Sequence, residues 1–215
     1  MNCIVTAGPT YEPLDGVRRL TNFSTGRLGT ELANFLVARG HKVTLLVSAQ
    51  AVHGGERRAQ RVEFFSTGAN LHDQLHALSA RKANAVFHAA AVSDFQFGRI
   101  QLKSSGGKLT EIRSKKIPTR EGTLLVELVP TPKIISELRG WFPLAKIVGW
   151  KFEAEGKRPD AIRAAAQQLS RYRIDATVAN GPAYGEGFGL ITPGGHEHLA
   201  NPPKLFNALE KWVQA

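Results

Sequence analysis

The 215-residue chain holds one cysteine, one methionine and only 18 acidic residues against 28 lysines and arginines. A single cysteine excludes an internal disulfide and a cysteine-cluster metal site. Its place in the apolar run CIVTA (Cys3 to Ala7) makes it a small packed hydrophobe. No run approaches the roughly 18 apolar residues that cross a bilayer, and no basic-then-apolar secretion signal opens the chain. A cytoplasmic protein without membrane association is expected. The shortage of acids leaves a net charge of +10, and a cationic surface attracts polyanions. The cations are spread over 56–61, 113–120 and 157–173 with no nucleic-acid-binding motif among them. Small polyanionic substrates, not nucleic acid, are therefore the expected partners.

What is present alternates between strand-like and helix-like segments. CIVTA is followed by a helical pattern over 26–39, then KVTLLVS (42–48), VEFF (62–65), a helix around 69–81 and AVFHAAAV (85–92). This rhythm predicts right-handed βαβ units. Periodicity then disappears between Ser93 and Gly122, in a stretch carrying six basic residues from Lys103 to Arg120. It is read as a functional flap over about 95–122. The strand TLLVEL (123–128), a helix after Pro132, KIVGW (146–150), a helix over 159–172 and ATVA (176–179) follow, re-entering the sheet. FGLIT before a Pro-Gly-Gly turn reads as a hairpin, and 205–213 as a closing helix. The expected fold is a single Rossmann-like α/β domain over 1–215. Its sheet is mostly parallel with helices on both faces, plus a long central flap and a C-terminal β-hairpin.

Two glycine clusters stand where a dinucleotide fold has one. Gly8 ends the first strand, but Ser24, Thr25 and Gly26 open the helix only after an excursion of about 18 residues. Amides at a helix start favour an anion, although Ser-Thr-Gly is equally a plain cap. The excursion is expected to widen the mouth between strand end and helix start. Ser48 and Gln50 stand where a ribose-binding acid would end the second strand, which argues against NAD. In HAAAVSDF, the alanines at 89–91 let a ligand approach the backbone, and Asp94 is placed to accept a ribose hydroxyl or to help hold Mg²⁺. Tight packing and a cap at Asp94 are the alternative. RSKKIPTREG puts a lysine pair on a loop able to close over a triphosphate, or on an ordinary solvated surface, and in VPTPKII Pro130 and Pro132 fix the turn into the next helix.

Taken in order, TAGPTYEPLDGVRRLTNFSTGRLG, AAAVSDF, KKIPT with PTPKII, VGWKFE and DATVAN resemble the phosphopantothenate–cysteine ligases of coenzyme A biosynthesis. The resemblance covers nearly the whole chain. It implies that the 4′-phosphopantothenate carboxylate attacks the α-phosphate of CTP or ATP, with CTP expected, to give an acyl-nucleotide and pyrophosphate. The amine of L-cysteine then forms the amide. It also implies Mg²⁺, carried mainly on the triphosphate, and a homodimer. FMN belongs to a decarboxylase fused to many relatives and is not expected here.

Residue by residue, the resemblance places the acyl intermediate on Asn22 and the essential flap lysine on Lys116. The alternative register puts Arg113 first, with Lys115 and Lys116 behind it. Gly8, Ser24, Gly26, Ala89, Ala90, Asp94, Lys115, Pro130, Thr131 and Pro132 are assigned to the nucleotide, with Trp150 stacking on its base. Arg171 and Arg173 stand in for lysines of the helix before D-x-x-x-A-N. Two other classes remain open: a nucleotide-binding module without ligase activity, and a short-chain oxidoreductase. The latter needs Tyr-x-x-x-Lys, whereas Asp15, Ala176 and Phe188 follow Tyr11, Tyr172 and Tyr184 at that spacing.

Overall fold

The computed structural model describes residues 1–117 and 122–215. Strand β1 (Asn2–Ala7) is buried from Cys3 onward. A strand buried on both faces needs a layer on each side. It pairs in parallel with β4 (Lys42–Ser48) on one side and with β6 (Ala85–His88) on the other. Beyond β4 lies β5 (Arg61–Phe65), and beyond β6 lie β10 (Lys146–Phe152) and β11 (Ala176–Asn180), all parallel. The hairpin β12 (Phe188–Thr192) and β13 (Gly195–Leu199) adds two antiparallel strands, for an eight-stranded order β13-β12-β11-β10-β6-β1-β4-β5.

Helices α1 (Arg27–Ala38) and α5 (Pro202–Gln214) cover one face. There Leu32, Leu36, Leu205 and Leu209 join Val5, Phe87 and Val178 in a buried cluster. The other face carries α2 (Gly68–Leu78), a 3₁₀ turn at Ile134–Ser136, the short α3 (Leu138–Trp141) and α4 (Arg158–Tyr172). Both layers and the C-terminal hairpin agree with the sequence pattern. From β1 the chain winds outward through β4 and β5, then returns to β6 and winds the other way. The direction reverses between β1 and β6, and ligands of such sheets bind outside the carboxyl ends at that point.

Two further pairings depart from expectation. The proposed flap is largely strand. β7 (Phe95–Lys103), β8 (Leu109–Glu111) and β9 (Thr123–Pro130) form a separate antiparallel sheet in the order β8-β7-β9. TLLVEL belongs to this arm and does not re-enter the main sheet. The cause is a register shift between Phe97 and Ile100. A bulge puts Phe95 and Phe97 at odd positions and Ile100 and Leu102 at even ones, so the period of two is broken in the sequence. The excursion after Gly8 is a small hairpin, β2 (Tyr11–Pro13) against β3 (Arg19–Thr21).

Candidate nucleotide site at the sheet's switch point

The two glycine clusters meet in space. A Cβ on Gly26 would lie 3.4 Å from the Gly8 Cα and 2.8 Å from the Ala51 Cβ, and one on Gly8 would lie 2.8 Å from the Ser48 Cβ. Both glycines have positive φ, 88° and 77°, a region that costs other residues strain. A Cβ on Gly29 would come within 2.9 Å of the Thr6 carbonyl oxygen, so this glycine lets α1 lie against β1. Strand end and helix start therefore touch as in an uninterrupted turn. The expected widening does not occur, because the hairpin leaves and returns at adjacent points. The first turn of α1 has no acidic residue; Thr25 Oγ1 accepts the Arg27 amide (3.3 Å), and the helix dipole with the amides that follow Arg27 favours an anion.

The segment after β6 is tied to this turn. The Ala91 amide donates to the Gly8 carbonyl (3.0 Å), the Thr10 amide to the Ala91 carbonyl (3.1 Å) and the Ser93 amide to Thr10 Oγ1 (2.8 Å). Asn22 closes the ring: its Nδ2 donates to the carbonyls of Ala91 and Val92, both at 3.2 Å. Its Oδ1 keeps acceptor capacity. Phe23 beside it is fully exposed. Below the ring, Thr6 Oγ1 accepts the Ala90 amide (3.0 Å) and lies 3.1 Å from His88 Nδ1. Burial pushes the His88 imidazole down to about 4. At neutral pH the ring is uncharged.

Asp94 stands at the rim, its carboxylate paired with the Lys133 ammonium. Thr131 fastens the two segments, its amide on the Asp94 carbonyl (3.0 Å) and its hydroxyl on the Ser93 carbonyl (2.6 Å). Pro130 ends β9 opposite Phe95, and Pro132 leads into the 3₁₀ turn. Among the described residues no group of three metal-binding side chains converges.

The hairpin tip grips the flap. The Gly16 amide donates to the Lys115 carbonyl (2.7 Å), the Ile117 amide to Asp15 Oδ2 (3.1 Å), and Ser114 Oγ to the Lys116 carbonyl (2.7 Å). Ile117 is buried. Hydrogen bonds from the Val17, Ile117 and Arg18 amides, with the Arg18 guanidinium at 3.0 Å, hold the Asp15 carboxyl below the usual range against the opposing effect of burial. The backbone around Lys115 and Lys116 is thus fixed while both side chains are exposed. They sit at the hairpin tip, whereas Asn22 sits at its base. Arg113 is paired with Glu111 (2.8 Å). Pro118 and Thr119 of the KKIPT motif lie outside the described residues.

Trp150 is half-buried against the Val5 and Phe87 cluster, with its indole N–H enclosed and unpartnered. Phe152, two residues on along the same face, is exposed. Arg171 and Arg173 are not brought to the site. They end α4, which leads into the amino end of β11, so they occupy the opposite edge of the sheet. The cations of α4 on the carboxyl edge are Lys157 and Arg158, at its start. The sequence marks the 157–173 cluster and the PTPKII motif but not Lys157, Arg158 or Lys133 individually, since each sits in a segment whose direction across the sheet only the topology reveals.

The model of the DNA/pantothenate metabolism flavoprotein C-terminal domain matches residues 1–194. The chain belongs to this family. It is 34% identical over 181 residues to the coenzyme A biosynthesis bifunctional protein CoaBC of Thermococcus kodakarensis, covering 82% of this chain and 40% of that protein. It spans less than half the length of that relative and of the next curated relatives, 48% in each case. The DNA/pantothenate metabolism flavoprotein structure from Streptococcus pneumoniae superposes with a TM-score of 0.84 at 22% identity, covering 100% of this chain and 98% of that one. A Cab2 variant in complex with phosphopantothenate-cysteine superposes at 0.72 with 20% identity, over 99% of this chain and 87% of that one. At these identities the superpositions establish the fold.

Proposed function

We propose that this chain joins 4′-phosphopantothenate to L-cysteine at the expense of a nucleoside triphosphate, CTP in preference to ATP, in the cytoplasm. The observation that carries the reading is the convergence, at the sheet's switch point, of the α1 amino end, Asn22 and Asp94. The α1 start and the Gly8 and Gly26 turn hold the phosphates, with Ser24 beside them. The half-buried backbone at Ala89 and Ala90 reads the base, with the aromatic surface of Trp150 at the neighbouring strand end. Asp94 takes the sugar. Mg²⁺ arrives as part of the triphosphate substrate.

In the first half-reaction a substrate carboxylate oxygen bonds to the α-phosphorus as the bond to the β-phosphate bridge breaks. Lys116, with Lys115, neutralises the departing pyrophosphate. In the second, the cysteine amine bonds to the acyl carbon, the nucleoside monophosphate leaves and the amine loses a proton. Asn22 faces this intermediate with its free Oδ1, positioned by the Ala91 and Val92 carbonyls. The reading expects a homodimer, for which the arm is the suited element, with exposed Leu109 and Leu125 on one of its faces and exposed Leu128 on the other. Arg171 and Arg173 have no part in it.

The test is mass-spectrometric detection of phosphopantothenoylcysteine with CTP or ATP, Mg²⁺, phosphopantothenate and cysteine. Absence of the amide with both triphosphates overturns the reading in favour of a nucleotide-binding module. Removing one preorganised hydrogen-bonding group typically costs about 10²–10³ in rate, and Asn22→Ala is expected to lose activity on that scale. Pyrophosphate release without cysteine isolates the first half-reaction, where Lys116→Gln should fall further than Lys115→Gln or Arg113→Gln. The reverse order would favour the other register.

A further inference from the structure

Lys133 has a fixed backbone at the mouth of the site. Thr131 is fastened to Ser93 and Asp94 on one side. On the other, the Lys133 carbonyl accepts the Ser136 amide (2.9 Å) and hydroxyl (2.6 Å), and the next residue, Ile134, is buried. From that base the ammonium reaches the carboxylate of a residue 39 positions away. The side chains are 48% and 66% exposed. Exposed ion pairs contribute little to folding, so stability does not account for it. The ammonium has three donors and the carboxylate several acceptor positions, and a single ion pair leaves capacity on both.

We propose that Lys133 is a positioning residue for the nucleotide sugar. It holds the Asp94 carboxylate turned toward the crevice as an acceptor for a ribose hydroxyl. A tethered ammonium, in place of a divalent ion, keeps that carboxylate oriented. A freely rotating carboxylate offers a sugar hydroxyl little that water does not, whereas a held one loses a partner when the hydroxyl is missing. The pair would therefore set discrimination between ribonucleotides and deoxyribonucleotides. This role rests on the nucleotide-dependent reading above.

The experiment is equilibrium binding of CTP, 2′-deoxy-CTP and 3′-deoxy-CTP to the full chain by calorimetry, without phosphopantothenate or cysteine, alongside melting temperatures. In the unaltered protein at least one deoxy form is expected to bind roughly 10-fold more weakly than CTP, the scale of one hydrogen bond to a charged group. Lys133→Met should bring that ratio within about 2-fold at an unchanged melting temperature, Lys133→Arg should restore most of it, and Asp94→Asn should abolish it. A ratio that survives Lys133→Met or Asp94→Asn, or that is absent from the outset while CTP binds, overturns the role of Lys133 alone. Failure of the unaltered chain to bind any triphosphate overturns this proposal and the nucleotide reading together.

Discussion

The eight-stranded sheet and the three-stranded arm are built from similar residues and have opposite surroundings. β1 presents five consecutive buried residues, whereas β9, with Leu124, Leu125, Val126 and Leu128, has none. Helices cover both faces of the first sheet, and among the described residues no helix forms a covering layer over the arm. Burial is thus set by what the topology lays against a strand, and apolar content alone does not locate the core.

The strongest way to break this contrast is a truncation in the main sheet. Phe87 is completely buried at its centre, and Phe87→Ala should cost about 3–5 kcal/mol in denaturant unfolding. A loss near zero would mean that the two sheets are equally loose. The next effect is acid sensitivity, traceable to His88. Its folded pKa is about 4, below the ordinary 6.5. Between those values the unfolded chain takes a proton that the folded chain refuses. Stability should therefore fall as pH drops through this window, by about 3 kcal/mol in all. His88→Gln should flatten that acid limb in thermal melts, and an unchanged slope would discount the buried imidazole. The smallest effect belongs to the arm: Leu128→Ala, at a side chain left 47% exposed, should change the stability of the dilute protein by no more than about 0.5 kcal/mol. A larger loss that appears only at high protein concentration would sharpen the contrast, by showing a second copy on that face.

The same contrast explains what could be read in the sequence. Buried parallel strands appear as uninterrupted runs such as CIVTA and KVTLLVS, and the expected helix over 26–39 forms at Arg27–Ala38. Of the arm only β9 was legible, as the strand TLLVEL, because a bulge shifts the alternation midway along β7. The hairpin escaped notice because strands of three residues carry too little pattern. Asn22 and Asp94 do lie at the switch point, where motif order places them. Arg171 and Arg173 had the expected charge but lie at the wrong edge, since a helix between parallel strands runs back toward their amino ends. Lys133 could be found only through its partner, which is distant in sequence.

The contact between Gly8 and Gly26 also bears on how this turn can change. The entropic cost of closing a loop grows slowly with its length, by about 0.6 kcal/mol per doubling. Here that cost is offset by a glycine contact independent of what lies between. The intervening hairpin can therefore be lengthened, shortened or exchanged while the phosphate turn keeps its shape. Its tip, where Asp15 and Gly16 hold the chain at Lys115 and Ile117, is then a separately adjustable part, free to drift in sequence as long as it still reaches the flap.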